Sequence, residues 1–216
     1  MQAHRLQATS MAFLLGAVLL SITDFVNTTV PCAEDSYSRI LSKGVKLARL
    51  VNWTTSELIK TYQANQGDFA EQFCKMPMDN VPASTLYGQT STERILNIYT
   101  RLKEFLPHIS KVLEQQKDLQ PPSCNLIPGI IGVKEQVGHL AHRVNCIFQI
   151  LQPNVLVPEP SWPTRIPPAQ NVFQQKVYGC VVLTRLREFL SVVVNELKSI
   201  KGSMRKKRIQ LTSNNL

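Results

Sequence analysis

Two sets of residues in this 216-residue sequence have types and spacings capable of chemistry. The first is Glu135, His139 and His142, at i, i+4 and i+7, which falls on one face of a helix. Zinc accepts carboxylate and imidazole ligands at such spacing. The apolar residues of the same stretch (Val133, Val137, Leu140, Val144, Phe148) occupy the opposite side. The triplet therefore reads as solvated surface rather than a metal centre. No G-x-S-x-G, nucleotide-binding loop or enclosed carboxylate pair is present, and no spacing draws Ser, His and Asp together. The sequence predicts no catalytic residue, metal or cofactor, and not an enzyme.

The second set is the cysteines: Cys32, Cys74, Cys124, Cys146 and Cys180. None forms a C-x-x-C pair, which weakens metal-ribbon and redox readings. Two disulfides and one spare thiol fit the count. The oxidising compartment this needs is written at the start of the chain. His4 and Arg5 precede the apolar run Met11 to Ile22, too short to span a bilayer and suited to a secretory signal. Residues 1–22 are read as that signal, with cleavage after Ser21 or slightly later. No other segment is apolar enough for a membrane anchor. Secretion makes the sequons at Asn27 (NTT) and Asn52 (NWT) glycosylation sites. It also redirects the net charge of +9 from nucleic acid toward acidic receptor surfaces or anionic glycans. Much of that charge lies in Lys198 to Arg208, a solvated end, a heparin-like glycan patch, or a basic processing site at Arg205 to Arg208.

Four stretches of helical periodicity position these residues, with no alternating strand among them. The first runs from about Ser36 to Ala64. The second starts at the capping-box pattern Thr90-Ser91-Thr92-Glu93 and carries Pro107 off its apolar stripe. The third begins between Asn125 and Val133 and ends at Leu151. The fourth runs from about Val172 to Lys201, with Gly202 expected to stop it. The connections are long, short and long: roughly 66–89, 118–124 and 152–171. A short loop joins antiparallel neighbours, whereas some 20 residues can span about 65 Å, more than a 30-residue helix of about 45 Å. The expected fold is therefore an all-α, up-up-down-down four-helix bundle with two long crossovers over residues 23–202, followed by a flexible basic tail, 203–216. On the third helix Cys146 is nine residues from Val137, about 180° away, so it points out of the bundle and suits a bridge to an outlying segment such as that of Cys32. Cys180, on the flank of the fourth stripe, can reach Cys74. Cys124 is left free or paired between chains.

The start of the last helix, VFQQKVYGC, narrows the reading. Phe173, Lys176, Gly179 and Cys180 resemble the F-x-x-K and glycine-cysteine signature of the interleukin-6 family of long-chain cytokines, closest to leukaemia inhibitory factor. That factor has six cysteines in three bridges, one more cysteine than this chain, and Cys124 has no counterpart. The resemblance implies Cys32–Cys146 and Cys74–Cys180 bridges. It also implies a secreted, monomeric ligand that cross-links two cell-surface receptor chains and activates JAK-STAT signalling. Phe173 and Lys176 would engage a leukaemia-inhibitory-factor-type receptor. Phe173 lies about 100° off the core stripe, so the alternative is a staple holding the second crossover. The shared signalling chain would meet Trp53, about 200° from Val51, together with His139 and Arg143. The rival reading is a basic helical protein that binds heparin-like glycans or lipid without a dedicated receptor.

Overall fold

The structure, a computed structural model, describes residues 32, 36–66, 70–121, 124–155, 157, 166 and 171–213. The signal run 1–22 and Asn27 lie outside the described residues. The elements are α1 (Tyr37–Gln66), α2 (Ala70–Phe73), α3 (Ser91–Leu119), α4 (Leu126–Leu151) and α5 (Val172–Ser213). No strand occurs among the described residues.

Each long helix buries one stripe. Ile40, Val51, Leu58 and Tyr62 of α1 face Val133, Val137, Leu140 and Val144 of α4 and Leu183, Leu186, Leu190 and Leu197 of α5 across the core. Phe105 of α3 packs on Phe189 of α5 at 5.9 Å between ring centres. α1 and α3 each pack on both α4 and α5, so α1/α3 and α4/α5 are the diagonal pairs. Partner residues fix the directions. Leu58 near the end of α1 meets Gly129 at the start of α4, and Gly44 near its beginning meets Ile147. Arg94 at the start of α3 pairs with Glu196 late in α5 at 2.8 Å. Gln66 and Gln116, late in α1 and α3, are bonded to each other at 2.8 Å. The bundle is up-up-down-down.

The N-terminus of α3 is a capping box. Thr90 Oγ1 accepts from the Glu93 N–H, while the Glu93 carboxylate accepts from the Thr90 and Gln89 N–H groups. Those backbone bonds hold the Glu93 carboxyl below its usual range. α3 runs on through Pro107. The first crossover follows α5 downward: Cys74 is bonded to Cys180, and Arg185 donates to the Met78 and Val81 carbonyls at 2.7 and 2.8 Å.

One expectation fails. Gly202 does not end the last helix, which continues to Ser213, so residues 203–213 are helical rather than a flexible tail. Gly202 is not in the left-handed conformation of a C-terminal cap. Its interior cost of about 1 kcal/mol is outweighed by the Lys, Met and Arg residues that follow, all strong helix formers. Cys146, on the side of α4 opposite Val137 and Val144, is buried and is a half-cystine, as expected of a residue bridged to a segment outside the stripe.

Candidate functional site

The first turn of α5 is fixed by a reciprocal cap. The Asn171 side chain accepts from the Gln174 N–H at 2.9 Å, and the Gln174 side chain accepts from the Asn171 N–H at 3.1 Å. Phe173, Lys176 and Cys180 then follow at i, i+3 and i+7 on one face. α2 lies against that face. Phe73 meets Phe173 edge-to-face at 5.3 Å, and the next residue, Cys74, is bonded to Cys180. Phe173 is thus clasped by the first crossover, not the second as the staple reading supposed, and it remains 48% exposed. Lys176 is half-buried.

The glycine of the glycine-cysteine pair has a separate task. The ring of Tyr62 crosses the backbone of α5 so closely that a Cβ on Gly179 would collide with the Tyr62 hydroxyl and ring. In that position the hydroxyl donates to the Lys176 carbonyl at 3.0 Å and accepts from Gln116 Nε2 at 3.2 Å. Burial pushes the Tyr62 phenol pKa well up, so it stays protonated as a donor. Beside it Tyr178 and His108 share a buried hydrogen bond of 2.7 Å. Burial lowers the His108 pKa to about 4, keeping the ring neutral. The turn bearing Phe173 and Lys176 is therefore held from α1, α2 and α3 together.

The second group of expected residues is spread along the seam of α1 and α4. Trp53 is 62% exposed, uncovered by the crossover, and borders a shallow cleft of roughly 280 Å³ with Gly129, Gly132 and Gln136. Its neighbour Thr54 donates to Gln136 at 2.6 Å. His139 is exposed one turn on, and half-buried Arg143 lies beside Gly44. From Gln136 to Arg143 is about 10 Å of helix, so the structure strings these residues out instead of gathering them. Tyr62 is nine residues, about 14 Å, beyond Trp53, which separates this seam from the Phe173 end.

Glu135 and His139 are exposed and His142 is half-buried. Asn52 is half-buried, and its Oδ1 accepts from the Ser191 hydroxyl at 3.3 Å. Cys32 is, like Cys146, a half-cystine, and Cys124 is a free thiol among the described residues. Sequence reasoning missed Tyr62, Gln116 and Phe73 as supports. A glycine inside an otherwise apolar helical stretch was the available signal for the close approach at Gly179. No helix among the described residues is long and apolar enough to cross a membrane.

Residues 27–213 match the family model described as ciliary neurotrophic factor. The chain is also similar to ciliary neurotrophic factor of Gallus gallus, 26% identical over 157 residues that cover 71% of this chain and 80% of the relative. The match over most of this up-up-down-down bundle is decisive: the chain belongs to the ciliary neurotrophic factor family, helical cytokines of the interleukin-6 type that act through cell-surface receptors.

Proposed function

We propose that the chain is a secreted ligand that bridges a leukaemia-inhibitory-factor-type receptor and the shared signalling chain of its family, and so activates JAK-STAT signalling. It works by geometry, not by chemistry. The observation that carries this reading is Phe173: a large aromatic left half-exposed on a turn that is immobilised from three sides. Preorganised aromatic residues flanked by charge are the usual energetic centres of protein interfaces, because little ordering cost remains to be met on binding. Lys176 supplies the charge on the same face. Exposed Trp53 anchors the second surface, with His139 and Arg143 further along the seam.

The test is binding of the purified protein to the two receptor ectodomains, with a STAT reporter in parallel. Phe173→Ala with Lys176→Ala should weaken the first receptor at least about thirtyfold, the equivalent of roughly 2 kcal/mol, and silence the reporter. Its melting temperature and shared-chain affinity should hold. Trp53→Ala with Arg143→Ala should show the converse pattern. A Phe173 variant that melts early and loses both receptors together would make the aromatic a structural clasp only, and unchanged shared-chain binding by the second pair would remove the seam from the reading.

A further inference from the structure

At the end of the bundle remote from Phe173, the N-terminal half of α1 and the late turns of α5 part to leave a cleft of roughly 430 Å³. Five cations line it: Lys46 and Arg49 from α1, and Lys198, Lys201 and Arg205 from α5. Their spacings, i, i+3 on one helix and i, i+3, i+7 on the other, aim each set along a single face. None of the five is in an ion pair with an acidic side chain among the described residues. Among the described residues no acid lines the cleft. The single acid of α1, Glu57, is bonded to Lys60, and Glu196, the last acid of α5, is bonded to Arg94. Five like charges facing one gap repel each other, and a polyanion lying in the gap would offset that repulsion.

The cleft is amphipathic. Leu41, Val45 and Met204 give it an apolar wall, while the hydroxyls of Ser38 and Ser42 line it as well. Gly202 contributes by absence: a Cβ there would meet no atom within 4 Å. The glycine that fails to stop the helix widens the cleft instead.

We propose that this cleft binds a sulfated glycosaminoglycan of the heparin type. Two cationic walls facing one another fit a linear polyanion that enters between them, whereas a membrane surface would need the cations spread over a plane. The apolar wall suits the C–H faces of sugar rings between the anionic groups. On α5 the cations from Lys198 to Arg205 extend about 10 Å, so several successive sulfates are engaged at once. The site is independent of the receptor reading, since Arg49 is 13 residues, about 20 Å, along α1 from Tyr62.

Calorimetry with a heparin octasaccharide tests it. The wild type should bind, more weakly as salt rises, and should ignore an unsulfated hyaluronan octasaccharide. Lys46→Gln with Arg49→Gln, on the helix without the basic run, should weaken binding at least about fivefold. Gly202→Glu, which adds a carboxylate in open space and favours helix, should do the same without lowering the melting temperature. Phe173→Ala with Lys176→Ala should bind heparin as the wild type does, so neither proposal decides the other. The inference is overturned if both cleft variants bind like the wild type, which would put the anion on the basic run alone. It is equally overturned by equal binding of hyaluronan, or by capture on phosphatidylserine vesicles or a DNA duplex with none on heparin.

Discussion

The same two helices, α1 and α5, meet in opposite ways at their two ends. Where α1 finishes and α5 begins, Tyr62 lies on the bare backbone of Gly179 with its hydroxyl bonded to Lys176, and a disulfide and an aromatic pair bring in α2. Where α1 begins and α5 runs out, cations face each other across an open cleft, and a side chain on the glycine there would meet open space. One end is closed by short, directional contacts and can hold an aromatic in one pose. The other is an open cleft lined by cations, which would suit a ligand defined by its own charge. A helix pair with one hydrophobic stripe can thus carry two recognition modes, provided the residues flanking the stripe change along its length.

The contrast is broken most severely by removing the bridge. Cys74→Ala with Cys180→Ala opens a loop with a sequence separation of 106 and should cost up to about 4–5 kcal/mol, read as the shift in urea midpoint. The loosening should appear as lost receptor binding through Phe173, with heparin binding retained. Peptide mapping of that variant without reduction should still yield Cys32 linked to Cys146, the pairing we propose for those two half-cystines; a Cys124–Cys146 product would refute it.

Next come two identical substitutions at the two ends. Gly179→Ala sets a methyl against Tyr62 and should destabilise by about 3 kcal/mol. Gly202→Ala meets open space and should stabilise by up to about 1 kcal/mol. The two melting temperatures should therefore lie about 10 °C apart. Equal melting temperatures would mean that the close crossing at Tyr62 carries no energetic weight.

The smallest effect is that of acid on the closed end. His108 has a pKa near 4 in the folded chain against 6.5 when free, so below pH 6.5 the unfolded chain takes up a proton that the folded chain does not. Stability is then lost as pH falls from 6.5 toward 4. Between pH 7 and pH 5 the loss should be about 2 kcal/mol, and His108→Gln should flatten that part of the curve. A parallel fall in the variant would assign the acid sensitivity to other groups.

Much of the architecture was legible because it rests on local periodicity and chain reach. The four stripes, the Thr90–Glu93 capping box and the long-short-long connections needed no knowledge of partners. What escaped depends on approaches between distant residues. Gly179 marks a close contact, but that its neighbour is Tyr62, more than a hundred residues earlier, is not written locally. Gly202 looks like a terminator because glycine ends many helices, yet the residues beyond it favour helix. Cys146 was aimed correctly relative to its own helix axis, but burial depends on what covers a face as well as where it points. Phe173 and Lys176 were singled out by the F-x-x-K pattern; Phe73, which clasps Phe173, lies in a four-residue helix too short to leave a periodic trace.

The bridge between the first crossover and the start of α5 also determines what a protease can do to this ligand. Everything between Cys74 and Cys180, including α3, α4 and the proline-rich second crossover, belongs to one covalent ring. A single cut anywhere within that ring leaves one molecule, not two. The face bearing Phe173 would stay tethered beside Phe73, so a chain nicked once in its connections keeps that turn in place until the disulfide is reduced.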